Sequence, residues 1–505
     1  MKHLSGGNES FWIASTPETS YRPVVGDHTV DVAIVGGGIF GITAAYLLKQ
    51  EGRSVAVIEG DRIVRGVTGY TTAKITSSQS LIYSQLVKKV GEDGARTYGE
   101  SNEAALAKIA DLVTSLDIDC DFERQDNYVY TETDSELSSV QEEAEIAASL
   151  GLPSSFVSEG PLPFPIKGAV RFTNQAQFHP RKYLLALARL VEGGGSHIFE
   201  RTKALDVDEG EPCRVVTERG TISATDVIVA TNMPFLDRGL FFAKVHPHRS
   251  YVVAGYAEAA SSAPPGMHIS AESPTRSIRL IRDGERTLVM VGGEGHKTGE
   301  EPDTERCYER LEAYARERFG LTSIDYRWST QDTVPVDQVP YIGRYTRSSE
   351  HLFTGTGFRK WGMTNGTLAA MLLTDRIMGR DNPWADLYDS KRINAPAAAK
   401  EFVKENVQVG MRWVVDRLQP PGGSLDDLPA GEGTVIRRGP QPVAVYKNED
   451  GTCRGLSAVC THLACIVHWN TAEKSWDCPC HGSRFDLDGS VIQGPATKPL
   501  EPKEV

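Results

Sequence analysis

The stretch from Cys460 to Ser483, CTHLACIVHWNTAEKSWDCPCHGS, constrains this chain most, because it carries two pairs of metal-binding side chains. Cys460 with His462 forms the first pair, and Cys478 with His481 forms the second. Two thiolates and two imidazoles are the ligands of a [2Fe-2S] centre in which histidine replaces half of the usual cysteines. The same four side chains could hold a tetrahedral zinc ion. The spacing therefore predicts a metal centre with one of these two occupants.

The boxes CTHLAC and CPCHGS resemble those of Rieske [2Fe-2S] proteins almost letter for letter, which favours iron–sulfur over zinc. The cluster ligands that this resemblance implies are Cys460, His462, Cys478 and His481. It also implies a disulfide between Cys465 and Cys480 that ties the two loops together.

Three further positions near the boxes bear on the properties of such a cluster. Ser483 matches the hydroxyl that donates to a cluster sulfide in the Rieske family, and residues 494–496 (GPA) resemble the third loop that covers the cluster. Phe485 stands where high-potential members have a tyrosine that bonds a ligand sulfur. Since hydrogen bonds to sulfur raise the potential, the loss of one predicts a lower potential than in the respiratory type.

Length, charge and apolar patterning exclude several classes of protein. A chain of 505 residues predicts two or three domains. The net charge of -13 disfavours a nucleic-acid partner, since binding to phosphates needs a basic face. No window approaches the apolar length that spans a bilayer, and the first residues lack an apolar signal core. We therefore expect a cytoplasmic protein without an integral membrane segment.

A second motif lies near the N-terminus and predicts a dinucleotide site. An apolar run at residues 30–35 is followed by GxGxxG at Gly36, Gly38 and Gly41, then by a helical pattern and a second apolar run that ends at Glu59. In this strand–turn–helix context, the glycines let the backbone approach a pyrophosphate at the helix N-terminus. An acidic residue about twenty positions further on binds the ribose hydroxyls.

The middle of the chain alternates between helical and strand-like patterns. Residues 81–150 read as a structural helical insertion, and DVIVATN at 226–232 reads as another core strand. Strand-like runs up to about residue 325 predict a substrate domain built largely on an antiparallel sheet. Its conspicuous polar side chains are Arg249, Tyr251, Arg276, Arg279 and His296. Arginine suits bidentate binding of a substrate carboxylate, although solvated arginines are commoner.

The Gly-rich unit, the ATN after a core strand, and the later segments PYIG and TGFRKWGMTNG together resemble the D-amino-acid oxidase, sarcosine oxidase and glycine oxidase group over residues 28–393. The resemblance implies an α/β Rossmann-type domain that binds FAD noncovalently, interleaved with the substrate domain. The FAD-binding residues that we expect are Gly36, Gly38, Gly41, Glu59, Thr72, Ala230, Thr231, Gly357, Gly362, Met363 and Thr364. The expected catalytic residues are Lys360, Arg249 and Tyr251. Lys360 could stabilise negative charge on the flavin or form an ordinary salt bridge.

Residues 394–425 are predicted to join the two parts through a helix at 398–418 and a PPGGS break. The apolar stripe of this helix is Val403, Val407, Met411, Val414 and Leu418, and we expect it to pack on a neighbouring domain. Residues 426–505 are then expected to form the small all-β fold of Rieske domains.

A two-electron centre and a one-electron centre on one chain predict a flavin dehydrogenase. An amine or amino acid would deliver a hydride to FAD, and electrons would pass singly to the cluster and an external acceptor, a substrate class taken from the resemblance alone. Electrons could instead enter from an external donor and flow from the cluster to the flavin, as in a reductase or tailoring enzyme. A third hypothesis is a redox-responsive interaction protein. A Rieske oxygenase is disfavoured, because we find no candidate for the second, mononuclear iron site.

Overall fold

The computed structural model describes residues 4–257, 264–392, 403–404, 406–407, 409–412, 415–416, 423, 425–439 and 441–505. The predicted domain boundary at residue 393 lies outside these ranges. Among the helices of the described ranges, none is both long enough and apolar enough to cross a bilayer.

The helices and strands follow one another along the chain from residue 11 to residue 503. The helices are α1 (Phe11–Ala14), α2 (Ile39–Gln50), α3 (Gly66–Gly69), α4 (Tyr83–Ser115), α5 (Asp134–Ser149), α6 (Pro180–Val191), α7 (Phe241–Lys244), α8 (Thr304–Phe319), α9 (Gly362–Ile377) and α10 (Ala385–Tyr388). The strands up to residue 256 are β1 (His28–Val35), β2 (Val55–Ile58), β3 (Lys74–Ile75), β4 (Glu123–Thr131), β5 (Ser154–Val157), β6 (Gly168–Gln177), β7 (His197–Phe199), β8 (Ala204–Asp208), β9 (Cys213–Thr217), β10 (Thr221–Val229) and β11 (Val245–Tyr256). The later strands are β12 (Met267–Ser270), β13 (Arg276–Asp283), β14 (Arg286–Lys297), β15 (Tyr326–Pro335), β16 (Tyr341–Arg344), β17 (Leu352–Thr356), β18 (Gly433–Arg438), β19 (Gln441–Lys447), β20 (Cys453–Ser457), β21 (His468–Asn470), β22 (Ser475–Asp477), β23 (Arg484–Phe485), β24 (Val491–Gln493) and β25 (Pro502–Lys503).

The first sheet has the strand order β16-β17-β10-β1-β2-β7, with β9 and β8 paired beyond β10. The five strands from β17 to β7 are parallel to one another, whereas β16 and β9 pair with β17 and β10 in the antiparallel sense. The apolar ends of β1 and β2 are buried, as expected for parallel strands that are covered on both faces. Helix α2 packs against α6 and α9, which accounts for its burial on nearly every side. The predicted α/β Rossmann-type domain is thus confirmed.

The second sheet has the order β15-β11-β14-β13-β12-β4-β6-β3, with β5 paired to β6. All of its pairings are antiparallel except the one between β12 and β4. The expected antiparallel-sheet substrate domain is confirmed. The helical insertion predicted at 81–150 is wrong in part, because β4 lies within it and joins this sheet between β12 and β6. The end of β4 coincides with a strand-like run that the sequence shows at residues 128–132, and its last three residues, 129–131, are all buried.

The C-terminal domain consists of two four-stranded antiparallel sheets, β18-β19-β20-β25 and β21-β22-β23-β24. Cys460, Cys465, Cys478 and Cys480 are buried in its hydrophobic core, together with Trp476 and Phe485. The expected small all-β domain is therefore confirmed.

Helical positions between residues 403 and 416 precede this domain, but the predicted apolar stripe does not pack on a neighbour. Val403, Val407 and Met411 are 58%, 52% and 60% exposed, while Val414 and Leu418 lie outside the described residues. The expectation of a packed stripe is wrong at the three positions that can be compared.

Another face of the same segment makes the contacts instead. Asn406 donates to the carbonyl oxygen of Ala243 (3.1 Å), and the carboxylate of Asp416 lies 3.0 Å from Nε2 of His468. Val409 packs against the core of the C-terminal domain. Asn406, Asp416 and Val409 thus determine which face of the segment packs against its neighbours. Because two of these residues are polar, a pattern of apolar residues does not predict this face.

The C-terminal domain lies directly against the second sheet and α8. Thr304 of α8 donates to Asn470 (2.8 Å), and His468 approaches the carbonyl oxygen of Gly299 (3.2 Å). Gly299 has φ +76°, and a Cβ placed on it would come within 2.7 Å of Cβ of Pro479. The loop between Cys478 and Cys480 therefore packs so closely on Gly299 that a side chain at residue 299 has no room.

We expect Gly299→Ala to weaken the docking of the C-terminal domain, and Gly284→Ala to serve as its control. Both glycines have positive φ, so both substitutions cost about 1–2 kcal/mol of backbone strain. Only Gly299 also meets a neighbour, whereas a Cβ on Gly284 has nothing within 4 Å. Urea unfolding should show that Gly299→Ala lowers stability by roughly 1–3 kcal/mol more than Gly284→Ala. Equal losses would contradict close packing at this contact.

Candidate active site and metal centre

The two cysteine–histidine boxes form facing loops at one end of the C-terminal domain. Within each loop a short hydrogen bond fixes the backbone: the amide of Cys460 donates to the carbonyl oxygen of Cys465, and the amide of Cys478 donates to that of Ser483, both at 2.8 Å. A disulfide joins Cys465 to Cys480, as the resemblance to Rieske proteins implied.

The four expected ligands converge between these loops. The rings of His462 and His481 lie 5.0 Å apart, nearly perpendicular to each other, and the thiols of Cys460 and Cys478 are within hydrogen-bond distance. Nδ1 of His462 is buried and has no hydrogen-bond partner among the described residues. A buried imidazole nitrogen left without a partner is what a metal ligand requires. The donor set of two sulfurs and two nitrogens therefore fits a Rieske cluster.

The surroundings of the cluster site match the sequence analysis at two further positions. Ser483 is buried beside Cys460, and its hydroxyl accepts a hydrogen bond from the amide of Ala496 (3.0 Å) in the third loop. Phe485 is fully buried and offers no hydroxyl to a ligand sulfur.

A cavity of about 1100 Å³ lies between the first and second sheets. This volume exceeds the usual range for small ligands and suits a dinucleotide. The expected FAD-binding residues in its lining are Gly36, Gly38, Glu59, Thr72, Ala230, Thr231, Gly362 and Met363. The other three lie behind the lining: Gly41 packs on Gly36, the Gly357 amide donates to Thr333, and the Thr364 hydroxyl accepts from Gln79.

The turn from β1 into α2 needs glycine for steric reasons. Gly36 has φ +115°, and a Cβ on it would lie 2.5 Å from the carbonyl oxygen of Ala230. A Cβ on Gly41 would lie 1.9 Å from the carbonyl oxygen of Gly36. Helix α2 can therefore begin close against β10, and its free N-terminal amides lie at the cavity.

Glu59 is held at the cavity by two backbone amides. Its carboxylate accepts hydrogen bonds from Gly37 (2.8 Å) and Asp61 (3.0 Å). Desolvation raises the pKa of Glu59, and the two amides oppose that rise. The carboxylate is thus positioned as an acceptor for a ribose hydroxyl.

Lys360 and Asp332 are two charged groups of the cavity lining. The ammonium of Lys360 donates to the hydroxyl of Ser250 (2.8 Å). Burial lowers the pKa of Lys360 to about 8, and it raises the pKa of Asp332 to about 6, where the nearby Lys360 opposes the rise. The side chain of Lys360 is nonetheless exposed at the cavity surface, and the lysine is cationic at neutral pH.

Tyr251 faces the same cavity from β11. Its hydroxyl lies 3.0 Å from Nε2 of His296, and its ring contacts Tyr308 edge to face. Tyr308 in turn donates to Glu473 of the C-terminal domain (2.8 Å). Burial lowers the pKa of His296 and raises that of Tyr251, so the phenol keeps its proton and donates a hydrogen bond to the neutral imidazole.

The arginines expected near the substrate are engaged with protein groups. Arg249 is absent from the cavity lining, and its guanidinium donates to Ser329 (2.6 Å) and to Asp477 of the C-terminal domain (3.1 Å). Arg279 donates to several backbone carbonyl oxygens, and Arg276 pairs with Glu294. The structure thus places Arg249 in the domain interface, away from the position expected for a carboxylate ligand.

Sequence reasoning missed the part of the cavity that the C-terminal domain supplies. Glu473, Arg484 and residues 491–494 and 496–497 all belong to its lining. Arg484 is oriented by Asp477 (3.1 Å) and by the hydroxyl of Ser475 (3.1 Å). No sequence pattern links these residues to a flavin site. Their closeness in sequence to the two cysteine–histidine boxes is the one signal that could have pointed to them.

The fold and the two sites define a flavin-dependent oxidoreductase that carries a second, iron–sulfur redox centre. Residues 31–376 match the family model "DAO: FAD dependent oxidoreductase", and residues 421–503 match "Rieske [2Fe-2S] domain". The chain therefore belongs to the DAO family of FAD-dependent oxidoreductases, with a C-terminal Rieske domain, and its cofactors are FAD and a [2Fe-2S] cluster.

Individual relatives agree with this assignment. YhfW of Bacillus subtilis (strain 168), which is named as a Rieske 2Fe-2S iron-sulfur protein, is 36% identical over 98% of this chain and 97% of its own length. Gamma-glutamylputrescine oxidoreductase of Escherichia coli (strain K12) is 24% identical over 70% of this chain and 84% of its own. The structure of glycine oxidase from Geobacillus kaustophilus superposes with a TM-score of 0.60 at 19% identity, over 73% of this chain and 100% of that one. This superposition shows a shared fold.

We expect Gly41→Ala to lose FAD, because the new methyl group would displace the carbonyl of Gly36 and with it the turn that holds the pyrophosphate. Overpacking of about 1–3 kcal/mol corresponds to a weakening of FAD binding by roughly 5- to 150-fold. Gly52→Ala, just beyond the same helix, is the control, since a Cβ there meets nothing within 4 Å. Flavin content after dialysis would measure the effect. Full flavin occupancy in Gly41→Ala would contradict the tight turn.

Proposed function

We propose that this protein is a dehydrogenase that oxidises the C–N bond of an amine or amino acid and passes the electrons through its cluster to an external acceptor. The names of two similar proteins, a glycine oxidase and a gamma-glutamylputrescine oxidoreductase, support this substrate class. In this chemistry bound FAD accepts a hydride from the carbon next to nitrogen, and the cluster carries the electrons singly.

The proposal rests on direct contacts between the wall of the flavin cavity and the loops of the cluster site. Gln331 of β15 lines the flavin cavity, and its amide donates to the carbonyl oxygen of Gly482 (2.7 Å). Gly482 lies between the ligand His481 and Ser483. The side-chain amide of Gln493, the last residue of β24, also reaches the carbonyl oxygen of Gln331 (3.5 Å). Electrons moving between the sites would thus cross packed protein without leaving the molecule.

The roles that we propose for the cavity residues follow from their charge and hydrogen bonds. Lys360 places a cation where negative charge develops during reduction, and the N-terminus of α9, at Gly362 and Met363, adds its positive dipole end. Tyr251, backed by His296, offers a hydroxyl to the reacting end of the substrate. Glu473 and Arg484 close that end of the cavity and help to exclude water.

The proposal is tested by mixing the oxidised holoenzyme anaerobically with glycine, D-alanine, L-proline, sarcosine and putrescine in turn. At least one should bleach the flavin absorbance, and the EPR signal of the reduced cluster should follow. Cys478→Ser should still show flavin bleaching but no cluster signal. If an external donor reduces the cluster first and the flavin afterwards, electrons flow from the cluster to the flavin, and the reductase alternative holds. If none of the compounds bleaches the flavin, the amine assignment fails and a redox-responsive interaction protein is favoured.

The proposed role of Lys360 predicts a pH-dependent flavin potential. A cation near the flavin favours the reduced, anionic form, so Lys360→Met should lower the flavin midpoint potential. In the unsubstituted protein this stabilisation should be present below pH 8 and fade as pH rises through the lysine pKa of about 8. Lys203→Met, a change to another lysine of the cavity lining, is the control. Spectroelectrochemical titration from pH 6.5 to pH 9.5 is the measurement, and parallel curves for the two variants would contradict the role.

A further inference from the structure

The flavin domain contributes a carboxylate to the outer side of a cluster ligand. Oδ1 of Asp237, in the segment between β10 and α7, lies 2.8 Å from Nε2 of His462. The histidine side chain is 5% exposed, whereas that of Asp237 is 58% exposed. The contact joins residues 225 positions apart in the sequence.

This hydrogen bond determines the state of the imidazole. A carboxylate accepts, so Nε2 of His462 must carry the proton and Nδ1 must be the unprotonated nitrogen. Nδ1 is the buried atom without a partner among the described residues. The carboxylate of Asp237, the imidazole of His462 and the metal site thus lie in a row. The hydrogen bond to the carboxylate raises the basicity of the unprotonated nitrogen of His462.

The same segment also reaches the flavin. Ala230 and Thr231, at its start, line the flavin cavity. Phe242, in α7 directly after this segment, contacts the rings of His481 (5.5 Å) and His462 (6.2 Å), both edge to face. A single stretch of chain therefore runs from the flavin cavity to both cluster histidines, with Asp237 as its charged contact.

We infer that Asp237 is a positioning residue that lowers the reduction potential of the Rieske cluster. Reduction adds negative charge to the cluster, and a carboxylate bonded to a ligand imidazole disfavours that addition. Because Asp237 belongs to the flavin domain, the cluster reaches its working potential only when the C-terminal domain is docked. The resulting potential is a property of the whole chain.

The test is a redox titration of the cluster in the full-length holoenzyme, followed by EPR at one fixed pH with chemical reductant and mediators. Asp237→Asn removes the charge and keeps the shape, and Asp237→Ala removes the hydrogen bond as well. Both should raise the midpoint potential and alter the EPR g-values, whereas Asp237→Glu should stay nearer to the unsubstituted protein. Since no substrate is needed, the result is independent of the amine proposal.

Asp206→Asn is the matched control, because Asp206 is an exposed carboxylate that pairs with Arg238, the neighbour of Asp237. Its substitution removes the same charge without touching a ligand, so its shift should be much smaller. An unchanged potential in Asp237→Asn, or an equal shift in Asp206→Asn, would overturn the inference. Loss of the cluster from both Asp237→Asn and Asp237→Ala would also overturn it, since Asp237 would then be needed for assembly instead of tuning.

Discussion

A buried set of charges between the second sheet and the C-terminal domain holds the two redox sites together. Asp477, next to a cluster ligand, accepts from Arg484 of its own domain and from Arg249 of β11. Burial alone would raise its pKa, but Arg484 and Arg249 bring the pKa of Asp477 to about 2. If either Arg249 or Asp477 were removed, the remaining charge would be buried without its partner, which typically costs several kcal/mol. These ion pairs link the Rieske domain to the second sheet of the flavin domain.

The consequence for the active site is that the cavity belongs to both domains. The flavin domain supplies the glycine turn, Lys360 and Tyr251, while the Rieske domain supplies Glu473, Arg484 and the loop at 491–497. Tyr251, Tyr308 and Glu473 form one chain of contacts across the boundary. The domain that holds the cluster therefore also helps to shape the space in which substrate would bind.

Local sequence patterns predicted the parts of each site whose residues lie close together along the chain. The expected cluster ligands lie in two short boxes and the flavin turn lies in one glycine motif, so local patterns point to both, and the resemblance to Rieske proteins favours iron–sulfur over zinc. Arg249 could not be placed in this way, because its partner Asp477 is 228 positions away and both belong to unremarkable strands. Asp237 carries no sequence signal either, since it is one more acidic residue in a loop. The apolar stripe at Val403, Val407 and Met411 led to a wrong prediction of packing, because polar contacts on another face of the segment determine its orientation.

The residues that form the wall of the flavin cavity are synthesised at two different stages. The strands and helices of the flavin site are complete once α9 has been synthesised, at Ile377. Residues 491–494 and 496–497, which line the same cavity, follow later in the chain and are synthesised after them. Domains generally fold as units during synthesis, starting from the N-terminus. The sheets and helices that build the flavin site are therefore synthesised before the Rieske residues that border the same cavity.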